Sequence, residues 1–272
     1  MLLAFTLTLI AGIATVLGGI IGVHSSIQKP GRLSIVLGFA AGVMVCVSFL
    51  DLLPTAYESL NNSIGVTKGM LLLIVALLAG ALVVRTIDKF IPCSNVVKCP
   101  NTSITKCMSH DECVSDARRR RLLKSGMMIS AIMAIHNFPE GIVTFTGAMH
   151  STTLGVSLAA AIALHNIPEG IAIASPIYTA TKKKLTAIKY AVLSGLTEPL
   201  GGLSGYLLLV RTMPESMLGV IFAATAGMML YISFSEIIPA AHYYSFRKRE
   251  PLLGASTGLG VMMASIIIMN VF

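Results

Sequence analysis

The sequence predicts an all-α membrane protein of eight transmembrane helices. They form an inverted 3+2+3 repeat with both termini on the extracytoplasmic side. Three observations predict it. The chain is 55% hydrophobic and 12% charged, against roughly 25% charged in soluble proteins. Apolar stretches able to span a hydrocarbon core of about 30 Å recur along its whole length. One hexapeptide, H-N-x-P-E-G, occurs twice, as His136–Gly141 and His165–Gly170, each time inside an apolar run.

The spans are expected at about 2–23, 34–58, 69–91, 123–149, 152–178, 186–210, 217–242 and 251–271. No charged region precedes the first, and it exceeds the apolar core of a signal peptide, so it reads as a retained span. The chain then divides into 1–91 (helices 1–3), 92–121 (a cytoplasmic Cys-containing loop), 122–178 (helices 4 and 5, carrying the candidate site) and 179–272 (helices 6–8). The loop holds Cys93, Cys99, Cys107 and Cys113, spaced without the tight pair of a zinc knuckle. In the cytosol such thiols stay reduced. A flexible loop with incidental cysteines outweighs a metal-buffering one.

Orientation follows from Lys and Arg. The connections after helices 1, 3, 5 and 7, with the flanking helix ends, hold eighteen of the 20 basic residues, among them Lys29, Arg118 to Arg121, Lys182 to Lys184 and Arg247 to Arg249. Only Lys68 and Arg211 fall on the other side. The positive-inside rule places the odd-numbered connections in the cytoplasm. The net charge of +8 therefore belongs to cytoplasmic loops of a multi-pass cell-membrane protein. Nucleic acid is not an expected partner, because no soluble basic domain exists to bind it.

Helix 2 reads Ala41-Gly42-Val43-Met44, then Ser48-Phe49-Leu50-Asp51 and Pro54. Helix 7 reads Ala226-Gly227-Met228-Met229, then Ser233-Phe234-Ser235-Glu236 and Pro239. Helix 1 (Gly18-Gly19, Gly22) matches helix 6 (Gly201-Gly202, Gly205) in the same way, and helices 4 and 5 share the hexapeptide. Each pair crosses the membrane in opposite directions. Inverted repeats of this kind mark secondary transporters, whose sites lie near the midplane between repeats.

Within each hexapeptide the His and Glu are four apart and the Asn and Glu three, which puts all three on one helix face. Imidazole, amide and carboxylate suit a borderline divalent ion such as zinc or iron. Glu198 lies mid-helix 6 in Thr197-Glu198-Pro199. Asp51 lies toward the outer half of helix 2 and Glu236 toward the inner half of helix 7. No Lys or Arg lies deep in a helix to neutralise these carboxylates, so they must be protonated or paired with a mobile cation. Two adjacent ions bridged by Glu140 and Glu169 could use His136, Asn137, His165, Asn166 and Glu198 together. Met44 is central on helix 2, where Met commonly fills core gaps. His24, His150 and His242 lie at membrane boundaries and read as solvated. An alternative is a metal-dependent intramembrane hydrolase, with Glu140 or Glu169 activating a metal-bound water. A proton or alkali-cation pathway is a third reading, which the His residues oppose.

The paired motif, the eight spans and the soluble segment between helices 3 and 4 resemble the ZIP (Zrt/Irt-like) metal transporter family, most of all its bacterial ZupT type. The resemblance implies import of divalent ions into the cytosol, chiefly Zn2+, with Fe2+, Mn2+, Co2+ and Cd2+ also accepted. These ions are bound as transported substrate; no separate cofactor is implied. The family's binuclear centre carries over onto His136, Asn137, Glu140, His165, Asn166, Glu169 and Glu198. Its helix-2 methionine falls at Met44. Asp51 becomes an entrance residue and Glu236 an exit residue, although Ser235 stands where many members have a His. The implied partners are the divalent ions and the lipid bilayer. Exposed small-residue faces would permit a homodimer.

Overall fold

The computed structural model describes residues 1–90, 110–209 and 214–271. Cys93, Cys99, Cys107 and Arg211 lie outside the described residues. Among the described residues, all regular structure is helical. In chain order the helices are α1 (Leu2–Gly22), α2 (Pro30–Val47, continued through Ser48–Leu52 into Leu53–Ile64), α3 (Val66–Phe90) and α4 (His110–His150). Then follow α5 (Thr152–Thr181), α6 (Lys184–Ser204, continued through Gly205–Leu209), α7 (Glu215–Ile232, Ser233–Ile237 and Ile238–Tyr243) and α8 (Arg249–Val271). The turn between α2 and α3 is made at Gly65, whose φ of 83° is the left-handed conformation that glycine reaches without strain.

Six of these, α1, α2, α3, α5, α7 and α8, contain segments long and apolar enough to cross a membrane. The other two carry His136, Asn137 and Glu140 on α4, and Lys189 and Glu198 on α6. Those polar residues lower the mean hydropathy of helices that still pack among the rest.

The segment 92–121 is not a loop throughout. From His110 onward it is helix, continuous with α4. The sequence supplies the reason: Asp111, Glu112 and Asp116 precede Arg118–Arg121. Acidic residues are favoured in the first turns of a helix, and opposite charges four apart support it. Arg119 then donates from Nε to the Ala180 carbonyl at 2.7 Å, tying this extension to the end of α5.

The packing reproduces the repeat. α1 lies along α5 as α6 lies along α4, and α2 lies along α8 as α7 lies along α3. Two groups of four result, α1/α4/α5/α6 and α2/α3/α7/α8, meeting chiefly through α2 on α5 and α4 on α7. Glycines set the closest approaches at matching positions. A Cβ on Gly42 would strike the Ala255 carbonyl of α8, and one on Gly227 would strike the Leu77 carbonyl of α3.

The repeat extends to backbone irregularity. α2 and α7 each contain one five-residue π turn, Ser48–Leu52 and Ser233–Ile237, with the carboxylate at its fourth residue and a Pro soon after. Ser48 Oγ donates to the Met44 carbonyl and Ser233 Oγ to the Met229 carbonyl, both at 2.8 Å. π turns of this sort concentrate at functional sites. Phe49 and Phe234, at equivalent positions, both point outward and are more than half exposed.

Large apolar side chains stand exposed on α1, α3 and α8, among them Leu71, Leu78, Leu82, Leu252 and Val261. The apolar stretches of α3 and α8 are only 17% and 22% buried, which makes this repeat-related pair peripheral. Patches of this size are not tolerated in water by a monomer and fit a lipid boundary. The polar groups go the opposite way, into the interior of the first group.

Candidate metal centre

The hexapeptides face one another across α4 and α5, near the middle of α5. His136, Asn137, His165, Asn166, Glu169 and Glu198 are all 2% exposed or less, and Glu140 is 3% exposed. Glu140 Oε1 lies 2.9 Å from His165 Nε2 and 3.0 Å from His136 Nε2, so one carboxylate oxygen meets an imidazole from each helix. His136 Nε2 also lies 3.5 Å from Glu169 Oε1. Neither approach of His136 is aligned as a hydrogen bond. Ligand atoms of His136, His165 and Glu169 all lie within 4.8 Å of one another, a spacing that can hold a metal ion.

A second cluster adjoins the first. Asn166 Nδ2 donates to Glu198 Oε2 at 2.8 Å and to the Ala11 carbonyl at 3.0 Å. Asn137 Nδ2 donates to the Ser194 carbonyl at 3.4 Å. These bonds use the amide nitrogens on backbone carbonyls and leave Asn137 Oδ1 and Asn166 Oδ1 without a partner. Glu140 Oε2, both Glu169 oxygens and Glu198 Oε1 are likewise buried and unpaired. So many orphaned acceptors would be costly in a closed core. Such a set of acceptors is what a cation site offers.

Glycine again permits the approach. A Cβ on Gly141 would strike the Glu198 carbonyl of α6, and one on Gly170 would strike the Thr15 carbonyl of α1. The colliding atoms are backbone, so the helices must move. Gly141→Ala is expected to lower stability by about 1–3 kcal/mol, the usual cost of overpacking. It should also push α6, and with it Glu198, away from α4. A fall in melting temperature together with weakened metal binding would confirm this; a variant that melts and binds as the parent does would refute it.

The remaining sequence candidates fall around this core. Asp51 is half-buried and within electrostatic range of His165 and Glu140, which places it beside the site on the α2 side. Glu236 stands apart from the centre and accepts from Ser125 Oγ of α4 at 2.9 Å, a bond from one helix group to the other. Met44 is fully buried in the core, its sulfur 3.6 Å from Ser233 Oγ of α7. That polar contact is to α7 rather than to the hexapeptides. His24, His150 and His242 are exposed, as expected of boundary residues. Thr15 and Ser194 were not anticipated. Both hydroxyls are buried and unpaired; Thr15 lies one turn from Ala11, whose carbonyl holds Asn166, and the Ser194 carbonyl holds Asn137. The repeat held the signal for one of them: aligning Gly18-Gly19 with Gly201-Gly202 places Thr15 opposite Glu198.

A buried His/Asn/Glu centre on paired helices of an inverted repeat defines a metal-ion transporter. The family model for the ZIP zinc transporters matches residues 98–266. Over 267 residues the chain is 41% identical to the zinc transporter ZupT of Chlorobium chlorochromatii, covering 98% of this chain and 97% of that protein. It is 40% identical to the ZupT proteins of Chlorobaculum parvum and Oceanobacillus iheyensis, again over nearly their whole lengths. The chain belongs to the ZIP family. It is a multi-pass membrane protein of a transporter family, which sets aside the hydrolase alternative.

Proposed function

We propose that this chain carries divalent transition-metal ions, zinc first, inward across the bacterial cytoplasmic membrane through two adjacent positions in the centre. The observation that carries the proposal is the meeting of both hexapeptides around Glu140 and Glu169, with buried acceptors left over on every side. One position is bounded by His136, His165 and the two glutamates, and the other by Asn137, Asn166 and Glu198. Nitrogen donors suit Zn2+, Co2+ and Cd2+, and an oxygen-rich neighbour extends the range toward Fe2+ and Mn2+. The relatives named as zinc transporters support zinc as substrate.

All eight helices serve as spans in this proposal, with both termini outside, as the distribution of basic residues supports. Asp51 then draws ions toward the site from the outer side, and Glu236 receives them on the inner side. Met44 remains a candidate soft donor at the boundary between the groups. The α1/α4/α5/α6 group carries the site, and α2/α3/α7/α8 frames it. Alternating access arises from motion of the first group against the second, which requires the contacts of α4 with α7 to break and re-form.

The test is zinc uptake into proteoliposomes holding a fluorescent indicator. The parent is expected to fill the vesicles, and His136→Ala and Glu169→Ala are expected to lose uptake while still folding. A parent that binds zinc tightly yet moves none across the bilayer would overturn the proposal.

A further inference from the structure

The pseudo-symmetry of the centre is broken at one place. α1 meets the second hexapeptide as α6 meets the first: Gly18 abuts the Ile167 carbonyl and Gly201 the Phe138 carbonyl. The carbonyl of Thr15 abuts Gly170 and that of Glu198 abuts Gly141. Asn166 donates to Ala11 as Asn137 donates to Ser194, four residues earlier on each helix. Thr15 is therefore the structural counterpart of Glu198. One side of the Asn-lined position carries a carboxylate and the other a hydroxyl.

That hydroxyl is not spent on its own helix. Threonines inside helices normally bond back to a carbonyl three or four residues earlier. Here Thr8, Thr146 and Thr179 do so at 2.8 Å. Thr15 Oγ1 has no hydrogen-bond partner, although the residue is wholly buried. Ser194 Oγ, Asn137 Oδ1, Asn166 Oδ1 and Glu198 Oε1 are in the same condition. The amide oxygens are fixed in that state, because each amide nitrogen is held by a backbone carbonyl.

We infer that the Thr15 hydroxyl is a neutral oxygen donor to the cation position bounded by Asn137, Asn166 and Glu198, and that it tunes which divalent ions rest there. The inference depends on the two-position reading of the centre. An oxygen-only set favours harder ions such as Mn2+ over softer ones. A hydroxyl where symmetry would place a fourth carboxylate adds a ligand without adding charge. The ion is then held loosely enough to leave, as transport requires. Thr15 also packs tightly, since a Cβ on Gly195 would lie 3.3 Å from Thr15 Cβ. Valine keeps that shape and removes only the oxygen.

The test is Mn2+ binding to the purified full chain, followed by electron paramagnetic resonance of the free ion. The parent is expected to bind two ions. Thr15→Val should weaken one of them by about tenfold, the lower end of the effect of removing a group that supports a metal site. The other ion should be unaffected, and Thr15→Ser should bind as the parent does. His136→Ala should weaken the ion that Thr15→Val spares. A parent that binds one ion overturns the two-position reading and this inference with it. Two ions bound unchanged in Thr15→Val, or both weakened alike in Thr15→Val and Thr15→Ser, overturn the role of Thr15 alone.

Discussion

Replacing Glu140 with alanine is expected to reduce zinc uptake by at least about 100-fold, at the upper end for loss of a metal-site group. One oxygen of its side chain meets both helices of the pair. Its Oε1 is within 3.0 Å of an imidazole nitrogen on α4 and of one on α5. On the two-position proposal, removing it would delete a ligand common to both positions, and it leaves His136 and His165 without their adjoining carboxylate oxygen. Glu140→Gln keeps the volume but loses the charge and should fall almost as far. The variant should still fold, because burying a carboxylate costs stability that burying an alanine side chain does not. The distinguishing readout is thermal. Zinc at about 100 times its Kd stabilises a protein that binds it by about 2.7 kcal/mol. The parent's melting temperature should therefore rise with zinc, and that of Glu140→Ala should stay flat. A zinc-dependent rise preserved in Glu140→Ala would show that ions are held elsewhere.

The residues that meet at the centre were legible in the sequence because each violates its surroundings. A His, an amide and a carboxylate at helical spacing inside an apolar run have few uses besides binding, and the motif occurs twice. Glu198 stood out for the same reason. Thr15 and Ser194 did not, because hydroxyls are common in membrane helices and usually bond to their own backbone. Only the three-dimensional arrangement shows that these two do not. The helical start of α4 at His110 was also hidden, since hydropathy locates spans and is blind to charged helix beyond them.

The grouping of helices was legible in part. The repeat of helices 1–3 in helices 6–8 is visible residue by residue, down to Asp51 opposite Glu236. It does not say which helices group together. In space α1 joins α4, α5 and α6, while α2 and α3 join α7 and α8. Small residues explain the choice. Gly12 and Gly195 bring α1 against α6, and Gly38, Gly42, Gly254 and Gly258 bring α2 against α8. Backbone approach at such positions drives helix association in lipid, where apolar burial supplies little. Reading contact partners from glycines requires knowing which helix faces which, and periodicity in a uniformly apolar helix does not provide that.

Joining Ser125 to Glu236 is expected to stop transport. The bond between them, at 2.9 Å, runs from α4 in the site-bearing group to the π turn of α7 in the other. Between it and the centre lie Met128, Ile129 and Ile132 of α4 and Ile173 and Ile177 of α5, each 1% exposed or less. On the proposed path, an ion moving toward Glu236 would pass this largely apolar layer, in which Met128 offers the one soft donor among the residues named. On that path the two groups would separate there before release, and a tether across Ser125 and Glu236 should hold them together. The experiment replaces the 5 native cysteines with serine and introduces Ser125→Cys with Glu236→Cys. A short bifunctional methanethiosulfonate joins the new pair, and a reductant releases it. Uptake should fall to background on joining and return on reduction, while metal binding to the tethered protein persists. Each single-cysteine variant treated in the same way should keep whatever activity it shows before treatment. If a fully tethered protein, verified by mass, transports as fast as its reduced form, the inner path does not open between these groups and the alternating-access account must be replaced.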